Sequence, residues 1–586
     1  MPEKPHNFWQ ELKRRKVVRV ITVYAAAAFV IIELTNNITE PLSLPEWVPS
    51  LVIVLLAIGL LISIVMSWVY DITPEGVQKT KRSTKDSSET KQPSSLGWKI
   101  STYISILVII AFTVFYIMSN IKQSSNKYIL EGSIAVLPFK SLSDNPEKQY
   151  LADGVMDAIL LHLSKIENLH VIARTSVEQY RETTKTATVI GEELNVAYVL
   201  EGSFQKYGDN ARLIVQLIKT IDGGHQWSNE YNREWKNIFS VQSEVAHTIA
   251  NELNAVITPK EKKEIDIIPT GNLEAYNIYL KGRFFWHRRT EEDLEKSIYY
   301  FNQAIKLDTN YALAYTGLAD AYFILPWYSS YPSNDAFIKA KKYAEKALSI
   351  NQNIAEAHSA LGSLAIYHEH NWKLAEEELK QAIKLNPNYY VAHQAYYELL
   401  SISGRNSEAE DQINLAIKYN PNFFVILQQR ADFHYREGKY LEAIEDCKKV
   451  LEIKYWFPSM SCIFNSYIKL GKDIEALDQL KAIIINIDSN NYDNLLDEIY
   501  LTSGINGVIY WYIDWLIKHS SPEFIDSDYI IARLYAIVGN DQKTLEYLER
   551  IIDSNKLQKL YIKREPDFNI LKTDPRYISM LKEMGL

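Results

Sequence analysis

The chain has 586 residues with 63 Lys and Arg against 72 Asp and Glu, a net charge of -9. One hydrophobic core rarely organises that length, so several domains are expected. Residues 1–128 hold 14 basic and 9 acidic side chains, which leaves the remainder at about -14 and without general attraction for phosphate backbones; this argues against nucleic-acid binding. Cys447 and Cys462, the two cysteines, both sit in apolar helical patterns. No disulfide framework holds the fold, and two buried thiols are expected, with a bridge left open for an oxidising compartment.

Near the start, three apolar runs at about 17–34, 48–70 and 100–118 each approach the roughly 20 residues that span hydrocarbon, and they predict three transmembrane helices. Lys13, Arg14, Arg15 and Lys16 precede the first run, no Lys or Arg lies between Thr35 and Trp47, and six lie between Asp71 and Lys99. Basic residues resist translocation. The expected order is a cytoplasmic N-terminus at 1–16, a membrane module at 17–119 and a linker at 120–130, with all later residues extracytoplasmic. Ser83 to Ser95 reads as a solvated linker within the second loop. Four motifs, Glu11-Leu-Lys-Arg-Arg-Lys-Val, Val23-Tyr-Ala-Ala, Leu44-Pro-Glu-Trp and Ile72-Thr-Pro-Glu-Gly, resemble the membrane module that opens many bacterial tetratricopeptide-repeat proteins. The resemblance implies a multi-pass protein of the bacterial inner membrane with periplasmic domains.

Short apolar runs then alternate with amphipathic helices over 131–260. Ser133 to Phe139 predicts a buried strand stopped at Pro138, Gln149 to Ile166 a helix, and Leu169 to Ala173 a second strand, which makes a β-α-β unit. A helix at about Thr188 to Leu194 precedes strands at Tyr198 to Gln205 and Arg212 to Lys219, joined across Gly208-Asp209. Another strand at His225 to Tyr231 and a helix at Ile238 to Ile257 close a small α/β domain. Ser133-Ile-Ala-Val-Leu-Pro-Phe, Tyr150-Leu-Ala-Asp-Gly, Val171-Ile-Ala-Arg-Thr-Ser, Tyr198-Val-Leu-Glu-Gly-Ser and Gly224-His-Gln-Trp resemble, in this order, the TolB-type amino-terminal domain family. Members of that family occur in bacterial envelope proteins, and similar domains sit beside cyclase, kinase or winged-helix modules, none of which is expected here.

From 271 to 556 the pattern is helical with a fixed period. Asn386-Pro387-Asn388 recurs 34 residues later as Asn420-Pro421-Asn422, and Gly404, Gly438 and Gly471 are each followed at one spacing by Glu-Ala. Gly539 falls two periods further on. Ala375, Ala409, Ala443 and Ala476 take the small position at the crossing of two helices. The spacing resembles tetratricopeptide repeats, an all-α solenoid whose hairpins share one core by stacking. Irregularities are expected around Pro326-Trp327-Tyr328 and from Asn490 to Ser520. Residues 557–586 read as a polar capping tail.

No catalytic, cofactor-binding or metal-binding residues are assigned. Asp153 and Asp157 lie one helical turn apart near Arg174-Thr175-Ser176, but a capping Asp and a strand-to-helix turn explain them without chemistry. His368 and His370, with His358 and His393 nearby, lack the spacing of a metal site. The 39 Tyr residues read as hairpin core and groove lining. The expected function is a non-enzymatic envelope scaffold that binds other proteins through the repeat array and the bilayer through its three helices. The alternative is a transmembrane sensor. No nucleic acid or cofactor is implied, and oligomeric state is left open.

Overall fold

The computed structural model describes residues 17–39, scattered positions between 52 and 63, and residues 70–73, 76–79, 130–143, 148–488, 490–519, 527–553 and 557–584. The chain divides into two units, Met1–Gln123 and Ser124–Leu586.

In the first unit, Val17–Thr39 forms a helix of 23 residues. Strands β1 (Tyr70–Thr73) and β2 (Gly76–Lys79) form an antiparallel hairpin. The three predicted transmembrane helices are not sustained: among the described residues no helix is long and apolar enough to cross a membrane. Arg19 is the third residue of the helix Val17–Thr39 and Glu33 the seventeenth. Between them the charge-free stretch from Val20 to Ile32 covers about 20 Å at 1.5 Å per residue, short of a hydrocarbon core of roughly 30 Å. The second predicted run, 48–70, ends where β1 begins; most of it, all of 100–118 and the linker at Ser83 to Ser95 lie outside the described residues. The membrane-anchored fold class, the bilayer as partner and the multi-pass inner-membrane localisation are corrected accordingly.

The second unit opens with a six-stranded mixed sheet: β3 (Leu130–Val136), β4 (Lys140–Ser141), β5 (His170–Val171), β6 (Val196–Tyr207), β7 (Asn210–Lys219) and β8 (His225–Glu234), in the order β5-β3-β6-β7-β8 with β4 also on β6. β3 runs parallel to β5 and β6, whereas β6, β7 and β8 are antiparallel. Both faces of β3 are covered, which is why its apolar run is continuous. Ile134 and Val136 face the helices Gln149–Ser164 and Ile238–Glu252, and Ala135 faces the helix Ala187–Leu194. Gly208, at φ 54, makes the tight turn between β6 and β7.

Helical hairpins follow. Six pair a first helix with a second: Leu273–Arg288 with Glu291–Leu307, Ala312–Ile324 with Ser333–Ile350, Ala355–Tyr367 with Trp372–Leu385, Tyr390–Ile402 with Asn406–Tyr419, Phe424–Arg436 with Tyr440–Ile453, and Phe457–Lys469 with Asp473–Ile485; the second carries a 3-10 turn, Leu325–Trp327, in its connection, at the irregularity expected from the sequence. A long helix, Asp493–Lys518, is broken at Gly504, and a further hairpin pairs Ser527–Ile537 with Asp541–Asp553. Gly404, Gly438, Gly471 and Gly539 all take positive φ, between 67° and 76°, where a first helix turns into its second. That left-handed position explains the glycine period. Ala375, Ala409, Ala443 and Ala476 are fully buried where paired helices cross. Residues Leu557–Leu571 form 3-10 turns and Pro575–Glu583 a last helix. This is a tetratricopeptide-like, all-helical solenoid.

Candidate functional site

Successive first helices of the hairpins touch one another as well as their own second helices. The array therefore curls with its first helices on the inner side. Over the third to sixth hairpins that side is covered by the chain's own tail. Leu560 is buried with Ala365, Ala395 and Phe433, which come from three consecutive first helices. Tyr561 lies 4.6 Å beneath the Arg436 guanidinium, and Arg564 Nη2 donates to Asn406 Oδ1 at 2.6 Å. Asp567, with no side-chain exposure, meets Lys469 Nζ at 2.6 Å and Arg533 Nε at 2.8 Å, and accepts from the Tyr435 hydroxyl at 3.0 Å. Burial alone would raise its carboxyl, but Arg533 and Lys469 hold it below the ordinary carboxylate range. Glu565 beside it is pushed up by burial, while the Tyr529 hydroxyl donates to it at 2.9 Å.

The α/β domain is tied to one rim of the array through the Asn-Pro-Asn motifs. Asn388 Oδ1 accepts from the Val171 N–H at 3.1 Å, and its Nδ2 donates to the carbonyls of Ser164 and Ile166 at 3.0 and 3.3 Å. Asn386 Nδ2 reaches Ser164 Oγ at 3.0 Å. One period on, Asn420 Oδ1 accepts from Ser176 Oγ at 2.6 Å and Thr175 Oγ1 at 2.9 Å, and the Ala173 N–H donates to the Tyr419 carbonyl at 2.8 Å. Val171 is an edge residue of β5, so the repeat loop supplies the acceptor that a further strand would otherwise give.

Asp153 and Asp157 are not helix caps; the residue before their helix is Lys148, and no side chain caps it. Arg174 bonds Asp157 at 2.6 Å and Asp153 at 3.1 Å, Arg181 reaches Asp153 at 2.9 Å, and His287 Nε2 lies 3.2 Å from Asp157. Burial, with the adjoining Arg174, pushes His287 down to about 3, so its ring is neutral. This cluster joins the helix Gln149–Ser164 and the turns after β5 to the first hairpin. Gly154 makes the approach possible, because a Cβ there would stand 2.5 Å from the Leu280 side chain.

Beyond this cluster, the first hairpin carries two further arginines against one indole. The Arg283 guanidinium lies 4.4 Å and that of Arg289 3.7 Å from the Trp286 ring centre. Arg283 faces Asp320 at 3.5 Å. Burial raises the Asp320 carboxyl to about 7 in spite of that arginine. Trp286 Nε1 is buried without an acceptor among the described residues. Arg289 likewise has no carboxylate within 4.0 Å among them, and burial lowers its pKa. Arg289 also occupies the left-handed turn, φ 55, that glycine takes in four later hairpins; His370, φ 51, does so in the third.

The histidines that tempted a metal reading do not converge. His358 pairs with Glu378 at 2.6 Å, His393 with Gln412 at 2.8 Å, His368 packs on Phe337 and His370 beside Trp372. Cys447 and Cys462 are free, buried and part of one cluster. Sequence reasoning passed over Asn388, Asn420, Asp567 and the Arg283, Trp286 and Arg289 group. For Arg289 and His370 a signal existed in the missing glycine of the repeat.

Residues 130–248, from β3 into the helix Ile238–Glu252, match the family model for the HilA/YgeH-like transcriptional regulator, second domain. The chain is 32% identical over 232 residues to a putative adenylate cyclase 3 of Rhizobium meliloti strain 1021, which is 39% of each protein. It is 22% identical over 257 residues to the transcriptional regulator HilA of Salmonella typhimurium, 44% of this chain and 45% of that protein. The chain thus spans about two fifths of the length of these curated relatives. Solved structures with likeness include PilW, a type IV pilus biogenesis factor (17% identity, TM-score 0.33, 38% of this chain and 99% of that one). Pseudomonas aeruginosa pilF is similar at 16% identity and TM-score 0.31, over 39% and 99%.

Proposed function

We propose that the chain is a non-enzymatic protein-binding scaffold whose inner repeat face takes a segment of a partner protein. The observation that carries this reading is the tail: the array already seats an irregular segment, with Leu560 in an apolar cluster and Asp567 between two cations. A face able to desolvate an apolar anchor and satisfy an acidic one has the recognition chemistry that peptide binding requires. Towards the first three hairpins the rim exposes Trp327 and Tyr328, residues suited to a half-wet interface. The test is a photo-crosslinking residue placed at Tyr328 in the full chain, compared with one at Lys373, an outlying exposed position. One protein adduct specific to Tyr328 is expected. Equal labelling from both positions would remove the reading.

A second reading, a regulatory module that passes a binding event to an effector, is favoured by the family model at residues 130–248 and the regulator among the relatives. Under it, partner binding should slow hydrogen exchange at the Val171 and Ala173 amides, which join the sheet to the repeats. Unchanged exchange at both amides in the bound state would sink it.

A further inference from the structure

The first hairpin concentrates hydrogen-bond donors for which the chain provides few acceptors. Guanidinium and indole N–H groups are donors only. Over the last two turns of the helix Leu273–Arg288 and its exit stand Arg283, Trp286 and Arg289, and both guanidiniums rest on the same indole. Among the described residues the carboxylate within 4.0 Å of them is Asp320, 3.5 Å from Arg283 and beyond good hydrogen-bonding range. The neighbouring carboxylates Asp153 and Asp157 are taken up by Arg174, Arg181 and His287. A buried N–H without an acceptor has lost its water and gained nothing in return, which destabilises the fold.

The backbone gives an independent sign. Arg289 sits at φ 55 where the fourth, fifth, sixth and last hairpins have glycine. A side chain in that conformation is disfavoured, and such strain persists where something else depends on the residue.

We propose that Arg289, Arg283 and the Trp286 indole N–H form a recognition site for a carboxylate side chain on an acidic peptide segment of the partner. The inference rests on the protein-binding reading and adds the chemistry of the ligand. A guanidinium matches a carboxylate in plane and offers two parallel bonds. Within the same chain, Asp567 shows the fit, since Arg533 and Lys469 enclose it on the inner side of the array. The aromatic residues Phe323 and Trp327, 5.0 Å apart on the next hairpin, provide apolar surface for residues flanking the acid.

The experiment measures fluorescence anisotropy of a fluorescein-labelled hexaglutamate peptide with the purified full chain, with hexaglutamine as the uncharged control. At a net charge of -9 the protein repels an acidic peptide overall, so affinity must come from a local site. Hexaglutamate is expected to bind and hexaglutamine not to. Arg289→Gly restores the residue type found in the other turns, so it keeps the fold. It should weaken binding by about tenfold or more, the loss expected for one charge-assisted hydrogen bond. Arg288→Ala, at an exposed neighbour, should leave binding unchanged. Equal affinity in Arg289→Gly, no hexaglutamate binding, or inorganic phosphate binding more tightly than the peptide at the same residues would each overturn the proposal. If the proposal falls while the Tyr328 crosslink persists, the scaffold reading stands and recognition uses other chemistry. If the crosslink is lost as well, both fall.

Discussion

Two stretches of the same inner surface solve opposite electrostatic problems. Over the later hairpins the tail brings Asp567 against Arg533 and Lys469, and Arg533 Nη2 lies 3.4 Å from Glu565, so each of these charges has an opposite charge beside it, while Arg533 Nη2 makes no hydrogen bond among the described residues. Over the first hairpin Arg289 and the Trp286 N–H lack acceptors among the described residues, and Asp320 is held up to about 7. The contrast separates a stretch whose cations its own chain pairs with carboxylates from one whose Arg289 has no carboxylate within 4.0 Å among the described residues. Folding alone favours the first arrangement, because an unpaired buried polar group costs free energy.

The largest effect is expected where the charges are paired. Asp567→Ala removes the nearest anion from buried Arg533 and partly exposed Lys469 and should cost about 3 kcal/mol in urea unfolding. A loss below about 1 kcal/mol would place the tail outside the folded core and break the comparison. Asn388→Ala touches neither stretch and sets the scale for polar docking. It leaves the Val171 N–H without its acceptor and should cost about 2 kcal/mol, with the α/β part melting ahead of the array.

Acid titration sharpens the contrast because the signs differ. The folded-state pKa of Asp567 is lowered, so its contribution is present above its ordinary value of 3.8 and is lost as pH falls through the lowered value. Asp320, and Glu398 on the fourth hairpin, are each pushed up to about 7 by burial. The folded chain binds more protons than the unfolded chain between their ordinary values and 7, so these two groups make stability fall as pH rises across that window. Asp320→Asn should raise stability at pH 8 by on the order of 2 kcal/mol and flatten the decline between pH 5 and 7. An unchanged slope would show that Asp320 titrates as a solvated acid. The smallest effect is Arg289→Gly, which should stabilise by about 0.5–1 kcal/mol by relieving the left-handed strain. Thermal melting of that variant checks it.

The α/β elements were legible because apolar runs and helical periods alternate cleanly, and Gly208-Asp209 marks the β6–β7 turn. The repeats were legible because one backbone conformation recurs and requires glycine at Gly404, Gly438, Gly471 and Gly539. Side-chain partners were not. Asn388 and Asn420 look like ordinary helix ends in sequence, since an amide that caps a loop and one that docks a domain have the same composition. Asp567 and Glu565 read as polar capping surface because their burial depends on Arg533 and Tyr435, which are distant in sequence. Hydropathy misled near the start because an average over 17–34 absorbs Arg19 and Glu33, whereas a helix must place each charge somewhere.

The asparagine joints also bear on synthesis. Val171 and Ser176 meet acceptors 217 and 244 residues further along the chain. At roughly 5–20 residues per second, a ribosome takes on the order of 10–50 s to deliver them. Until then the nascent sheet has a bare edge at β5, so the newborn chain calls for shielding from aggregation in the interval before its fourth and fifth hairpins emerge.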